Sequence, residues 1–235
     1  MNFSKITDIF FPPRCPGCDR IPDSDFPVCN FCKDLIIHPS KTKNSCEVCF
    51  MSPDNCVCSK RQFFEKLSFS FAYEGTPKKM IFKLKFRARP DIAKSYAKLL
   101  YYSLNERNML DKTDIITFIP MSSFSKFKRG YNQSALTAKY LSALCGKPCL
   151  PLLDKIIKTK SQHKLNQRLR SGNLLGAFEP NKKYLNVIAN KTILVIDDVS
   201  TTGATFNEIA KTLLIFGAES VYAAACTATK KSKKD

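Results

Sequence analysis

The spacing of apolar and polar residues along the chain alternates between every second position and every third or fourth position, and this predicts alternating strands and helices. Strict alternation, or a short run of β-branched and small apolar residues, predicts strands at 67–71, 115–119, 193–196 and 220–226. Apolar positions three and four residues apart predict helices at 78–89, 91–106, 132–144 and 206–216. This order is typical of an α/β fold with a mainly parallel sheet flanked by helices.

The first 60 residues lack this periodicity and are rich in cysteine, proline and aspartate. We therefore divide the 235-residue chain into a small N-terminal module (1–60), a linker or hood segment (61–112) and an α/β domain (113–235). A module of this size needs disulfides or bound metal ions to stabilise its small core. No apolar run reaches the roughly 20 residues of a membrane span, and no signal sequence is recognisable, so we expect a cytoplasmic protein without membrane insertion.

Eight of the eleven cysteines lie in the first quarter of the chain, in four closely spaced pairs. Two cysteines separated by two residues can turn both thiolates toward one tetrahedral ion, and two pairs complete a four-cysteine zinc site. Without an export signal, structural zinc is favoured over disulfides. We predict a double zinc ribbon, in which one ion is held by Cys15, Cys18, Cys29 and Cys32 and the other by Cys46, Cys49, Cys56 and Cys58.

Two features of this cysteine module stay open. The last pair has only one residue between its cysteines, so a single zinc ion with the second cluster unfilled is the alternative. An interleaved grouping of the pairs is also compatible with the sequence.

The basic residues lie outside this module and suggest a polyanionic partner. The chain has 38 basic and 20 acidic residues and a formal net charge of +18. Residues 1–60 are neutral by the same count, whereas 61–112 carry +7 and 113–180 carry +8. The attraction for a polyanion therefore lies in residues 61–180.

One predicted helix in this region combines basic and aromatic residues. Lys79, Lys83 and Arg87 recur every four positions and form one stripe, and Phe82 and Phe86 are also four apart. Single-stranded nucleic acid offers phosphates for such cations and bases for such rings. We take the three cations, together with Lys128, as candidate nucleic-acid contacts. The alternative is that the rings belong to the core and the lysines are merely solvated.

The sharpest chemical signal follows the apolar run 193–196. Two carboxylates come next, and a turn with hydroxyl groups and one glycine leads into a helix. Free N–H groups at a helix start can hold a phosphate, and two carboxylates suit a vicinal diol or a divalent ion bridging to it. The candidate residues are Asp197, Asp198, Thr201, Thr202, Gly203, Ala204 and Thr205. The alternative is a capped turn with a solvated aspartate pair.

This stretch resembles the phosphoribosyl-pyrophosphate (PRPP) loop of type I phosphoribosyltransferases. The chain is similar in particular to the ComF family of bacterial competence proteins, through its paired cysteines and through residues 84–86, 129–134 and 162–178. The resemblance implies a type I phosphoribosyltransferase-like fold in which the two aspartates hold the ribose hydroxyls, with Mg²⁺ nearby, and residues 201–205 hold the 5′-phosphate. It implies a pyrophosphate loop after strand 115–119, with Met121, Ser122, Lys126 and Arg129 as candidates.

The same resemblance implies a function in DNA uptake during natural transformation. The protein would bind PRPP and single-stranded DNA, with a competence helicase as a candidate partner. A catalytically active phosphoribosyltransferase of nucleotide salvage is one alternative, and a non-catalytic interaction module regulated by PRPP is another. The sequence leaves open whether phosphoribosyl transfer occurs, which acceptor it would use and which oligomeric state the protein adopts.

Overall fold

The computed structural model describes residues 14–23, 26–35, 46–49, 56, 62–156 and 177–229. Its strands, in chain order, are β1 (Lys66–Ala72), β2 (Ile115–Phe118), β3 (Leu153–Lys155), β4 (Phe178–Pro180), β5 (Thr192–Ser200) and β6 (Ser220–Ala228). A parallel four-stranded sheet has the order β1-β6-β5-β2, and β3 pairs with β4 antiparallel. The expected α/β architecture with a parallel sheet is therefore confirmed.

The helices of the described residues are α1 (Asn30–Asp34), α2 (Gly75–Phe86), α3 (Ile92–Asn105), α4 (Ser123–Arg129), α5 (Gln133–Cys145) and α6 (Ala204–Ile215), with a 3-10 helix at Lys182–Val187. All four predicted strands and all four predicted helices form, with ends that differ from the prediction by at most four residues. The short elements α1, α4, β3 and β4 were not predicted, because a few residues are too short to show a period.

Alternate residues of the central strands face two separate apolar layers. Leu194 and Ile196 of β5 pack into the layer that contains α2, α3 and α5. Ile193 and Val195 pack into the layer that contains α6. Both faces of the sheet are therefore covered, which is why the strands read as continuous apolar runs in the sequence.

The described N-terminal residues contribute to the same buried layers. Cys15, Cys29 and Cys32 are buried with Met80 and Leu84 of α2. Strand β1, from the predicted linker segment, pairs with β6 in the central sheet. The described parts of the three predicted segments thus share buried surface, and the division into domains at residues 60 and 112 stays a prediction. Within the described ranges, no helix has the length and apolar character needed to cross a membrane.

Candidate functional site

The two adjacent aspartates lie inside β5, where the sequence analysis placed them after the strand. The last register pair between β5 and β2 joins Ile196 to Phe118, whereas pairing with β6 continues to Ser200. Asp197 therefore lies at the point where β5 extends beyond the end of its neighbour β2. This is the carboxyl edge of a parallel sheet, the place where α/β folds bind ligands.

Asp197 is held by the start of α5. Its Oδ1 accepts hydrogen bonds from Ser134 Oγ at 2.9 Å and from the backbone N–H of Asp198 at 2.8 Å. Asn132 caps the same helix by accepting from the N–H of Ala135, and its Nδ2 donates to the carbonyl of Ile119 at 3.0 Å. Ser134 and Asn132 were part of the motif 129–134 but received no role from the sequence.

The carboxyl group of Asp197 has an unusual affinity for its proton. Burial, and next the neighbouring charge of Asp198, raise the pKa of Asp197 to about 7. The hydrogen bonds from Asp198 N–H and Ser134, and the charge of Lys85, act in the opposite direction. A nearby positive charge favours the ionised form of such a carboxyl group.

Asp198 is paired with a cation that the sequence analysis did not select. Lys85 of α2 donates from Nζ to Asp198 Oδ1 at 2.8 Å, and Asp198 is only 8% exposed. Lys85 stands two positions from Lys83 and Arg87, which on a helix places it about 200° around from them. That displacement from the basic stripe was the available signal that Lys85 faces the sheet.

The turn after β5 has the accessibility that a phosphate requires. Thr201, Thr202 and Thr205 are exposed at the start of α6, and Gly203 is the residue preceding this helix, with φ of 71°. This left-handed backbone conformation explains the glycine. Ser200 Oγ, immediately before the turn, is buried and has no hydrogen-bond partner among the described residues. The structure therefore brings the carboxylate pair, exposed hydroxyls, a helix N-terminus and an unpaired polar atom to one end of β5.

The predicted pyrophosphate loop lies beside the carboxylate pair. Backbone N–H of Ile119 donates to the carbonyl of Ile196 at 3.0 Å, which joins the loop to β5. Met121 and Ser122 are half-buried just before α4, and Ser122 Oγ donates to Ser125 Oγ. Arg129, at the end of α4, has its guanidinium carbon 5.3 Å from the ring centre of Phe86.

The side chain of Lys126 lies outside the described part of the chain.

The predicted basic stripe on α2 is only partly free. Lys79 and Arg87 are exposed, but Lys83 turns toward the N-terminal module. Its ammonium group donates to the carbonyls of Pro16 and Gly17, and it also pairs with the carboxylate of Asp19. This corrects the expectation of three exposed cations in one row, because a helical period cannot distinguish an anchoring lysine from a solvated one.

The phenylalanines of α2 are exposed, so the alternative that they belong to the core is wrong. Phe82 is 49% and Phe86 60% exposed, and their ring centres are 5.3 Å apart. Two open clefts flank these rings. The larger, about 790 Å³, lies between α2 and the cysteine module and is lined by Lys79 and Arg87 among others. The smaller, about 400 Å³, lies between α2 and α4 and includes Lys128.

The cysteines group in the predicted sequential order. The sulfur atoms of Cys15, Cys18, Cys29 and Cys32 all lie within 4.8 Å of one another, as do those of Cys46, Cys49 and Cys56. The fourth member of the second set, Cys58, lies outside the described residues. The sulfur atoms of Cys18 and Cys29 in the first cluster are 3.6 Å apart, as are those of Cys49 and Cys56 in the second. Thiolates that bind one zinc ion tetrahedrally have their sulfur atoms about 3.8 Å apart. The clusters could therefore hold metal ions.

The chain resembles proteins of competence and DNA utilization. A family model of the phosphoribosyl transferase domain matches residues 136–235. The DNA utilization protein YhgH of Escherichia coli O157:H7 is 30% identical over 213 residues, covering 88% of this chain and 86% of that protein. Competence protein F of Haemophilus influenzae is 29% identical over 211 residues, with the same coverage of both chains. Among solved structures, a glutamine PRPP amidotransferase from B. subtilis, complexed with ADP and GMP, has a TM-score of 0.40 at 18% identity and matches 66% of this chain and 30% of its own.

Proposed function

This chain belongs to the competence protein F (ComF) family, and from that premise we propose that it binds PRPP with Mg²⁺ and single-stranded DNA and handles incoming strands in the bacterial cytoplasm. The match to the phosphoribosyl transferase model confirms the predicted phosphoribosyltransferase-like fold. The names of the relatives support the role in DNA utilization, and the following observations support the two ligands.

The observation that carries the proposal is the meeting of the carboxylate pair with the exposed turn at the end of β5. Asp197 and Asp198 offer oxygen acceptors to the two hydroxyls of a ribose. The hydroxyls of Thr201, Thr202 and Thr205 and the N-terminus of α6 offer donors to its 5′-phosphate. Ser200 Oγ, which precedes this turn and is buried without a partner in the described chain, would be a further donor.

The same carboxylates suit Mg²⁺, which prefers oxygen ligands and phosphate-bearing substrates. Bound there, the ion would neutralise part of the charge of the pyrophosphate group. Met121, Ser122 and Lys126 would contact that group from the loop after β2, whereas Arg129, the fourth residue predicted for this role, lies over the ring of Phe86. With Ser134 fixing Asp197, the protein would hold the ribose in one orientation and would need little rearrangement on binding.

Exposed cations and rings support the binding of a single strand. Lys79, Arg87 and Lys128 would contact phosphates, and Phe82 and Phe86 would stack on bases. Each cysteine cluster would bind one structural zinc ion. Because the first cluster packs against α2, zinc would keep this DNA-binding helix in place.

Calorimetric titration with PRPP in the presence of Mg²⁺ tests the proposal. We expect binding to the wild-type protein and a loss of about 10- to 100-fold in Asp197→Asn, because a charged acceptor is replaced by a neutral one of the same shape. Asp111→Asn removes an exposed carboxylate between α3 and β2, at the amino end of β2, and serves as the matched control with unchanged affinity. Equal affinity of all three proteins would contradict the proposal.

A further inference from the structure

Lys85 lies at the border of two sites. Its ammonium group pairs with Asp198 at 2.8 Å, and its side chain also lines the cleft between α2 and α4. The side chains of Lys85 and Asp198 are 22% and 11% exposed, so the pair is screened only partly by water. Lysine carries a compact charge on a flexible four-carbon stem, which allows the ammonium group to serve either site.

The cleft between α2 and α4 has the chemistry of a nucleotide site. Lys85, Lys128 and Arg129 supply three cations, and no carboxylate is found among the described residues that line it. Phe86 and Phe124 in its wall are 60% and 78% exposed. Bases stack on such rings, and the linking phosphates meet such cations.

The walls of this cleft are fixed to each other. The hydroxyl of Tyr131, just after α4, donates to the carbonyl of Leu84 on α2. The guanidinium of Arg129 lies over the ring of Phe86. The cleft is therefore preformed in the described structure, and among its cations Lys85 has its ammonium group turned to a carboxylate outside the cleft.

We infer that this cleft binds nucleotides of a single strand and that Lys85 couples it to the PRPP site. Asp198 holds Lys85 until PRPP, together with its divalent cation, takes that carboxylate, and Lys85 then contacts a phosphate of the strand. PRPP thereby strengthens the binding of single-stranded DNA, and by linkage DNA strengthens the binding of PRPP. This inference rests on the proposed function, because both ligands must bind.

The size of the coupling follows from one added phosphate contact. Each contact to a single strand adds about 0.7 to the slope of log affinity against log salt concentration. At 0.1 M salt one such contact is worth about fivefold in affinity. PRPP itself brings negative charge that repels DNA, so the contribution of Lys85 is isolated only by comparison with a variant that lacks its ammonium group.

The experiment measures fluorescence anisotropy of a labelled oligothymidylate with and without saturating PRPP, at constant Mg²⁺. The proteins are wild type, Lys85→Met and the control Lys79→Met, which removes a cation of the same helix that has no contact with Asp198. We expect the ratio of affinities with and without PRPP to be about fivefold higher in wild type than in Lys85→Met. Lys79→Met should bind DNA more weakly in both conditions and keep the wild-type ratio.

A second experiment is a double-mutant cycle between Lys85 and Asp198, and it needs no PRPP. It uses Lys85→Gln, which covers the case that Lys85→Met is unstable. Asp198→Asn releases Lys85, so it should raise DNA affinity about fivefold more in a wild-type background than in a Lys85→Gln background. Equal effects in both backgrounds would overturn the inference. So would a wild-type coupling ratio in the Lys85 variants, or a Lys85 variant that loses PRPP affinity while its DNA coupling is unchanged.

The two levels of failure are distinguishable. If wild type binds both ligands but replacing Lys85 changes the result of neither experiment, only the inference fails. If wild type binds no PRPP or no DNA, the proposed function fails and the inference falls with it.

Discussion

The ammonium nitrogen of Lys83 lies 3.2 Å from the carbonyl oxygen of Gly17 and donates a hydrogen bond to it. Gly17 lies in the turn between Cys15 and Cys18, and Lys83 lies in the middle of the basic, aromatic helix α2. A methyl group on Gly17 would come within 2.6 Å of Thr76 and 2.7 Å of Cys32. The first cysteine cluster and the helix proposed to bind DNA are thus locked together at close range.

Replacing Lys83 should therefore affect stability more than DNA binding. We expect Lys83→Met to lower the free energy of unfolding by about 1 kcal/mol, because carbonyl oxygens of the cysteine turn lose a charged donor that is itself partly exposed. This corresponds to a decrease in Tm of about 2–4 °C. Thermal denaturation followed by circular dichroism checks the value.

Lys79→Met is the matched comparison, because Lys79 is exposed one turn away on the same helix. It should leave Tm unchanged and reduce the salt slope of DNA binding by about 0.7. A larger loss of DNA affinity in Lys83→Met than in Lys79→Met, at equal Tm, would contradict this division of roles.

Removal of zinc should destabilise more than the N-terminal module. Cys15, Cys29 and Cys32 are buried with Met80 and Leu84, so loss of the ion would loosen the packing of α2 on the sheet. We expect about two zinc ions per chain by metal analysis, and a lower Tm of the α/β domain after chelation. A chelated protein with the original Tm and unchanged DNA affinity would show that α2 does not depend on the metal.

Most of the α/β architecture could be predicted from the sequence, because its strands are buried on both faces and its long helices have clear periods. The contact between Lys85 and Asp198 could not be predicted, since 113 positions separate them and only the packing of α2 against β5 brings them together. The anchoring role of Lys83 was missed for a different reason. Its partners are backbone carbonyls, which leave no trace in the pattern of side chains.

Within the candidate site, the sequence identified the residues proposed to contact the phosphate and the ribose. It did not identify the residues that hold them in place. The carboxylate pair and Gly203 carry a recognisable order. Ser134 and Asn132 belong to another helix, and their hydrogen bonds to Asp197 and Ile119 depend on where α5 begins. The strand end was placed too early for a similar reason: pairing with β6 extends β5 through both aspartates to Ser200.

Stacking on α2 should contribute strongly to DNA binding. Phe86 is exposed beside Arg129, and one base stacked on such a ring contributes about 1–3 kcal/mol. We expect Phe86→Leu to weaken binding of oligothymidylate about fivefold or more while leaving the salt slope unchanged, because no charge is lost. Phe216→Leu, at the far end of α6, is the exposed control and should bind as wild type does. Identical affinities for the two variants would exclude stacking at Phe86.

The affinity for PRPP with Mg²⁺ should fall as the pH falls below about 7. Burial and Asp198 raise the pKa of Asp197 to about 7, and a cationic ligand needs the ionised carboxylate. Binding then releases one proton, and well below this pKa the affinity decreases about tenfold per pH unit. Calorimetry in buffers of different ionisation enthalpy counts the proton. Binding at pH 6 without proton release would contradict the assignment.

The same raised pKa makes Asp197 costly to the fold at high pH. The pKa of Asp197 is higher in the folded than in the unfolded protein. Such a group contributes to the free energy of unfolding at low pH, and this contribution is lost as the pH rises through the pKa of the folded state. We therefore expect Asp197→Asn to be more stable than wild type at pH 8, with a difference that shrinks toward pH 5. Denaturant unfolding at the two pH values measures this, and a less stable Asp197→Asn at pH 8 would be the opposite result.

The most direct test of the account is a crystal structure of the protein with PRPP and Mn²⁺ in place of Mg²⁺. The account predicts an anomalous peak beside Asp197 and Asp198, the 5′-phosphate within hydrogen-bonding distance of residues 201–205, and the ammonium group of Lys85 displaced from Asp198. PRPP bound elsewhere, or no PRPP in crystals grown at saturating concentration with Lys85 still paired to Asp198, would contradict it.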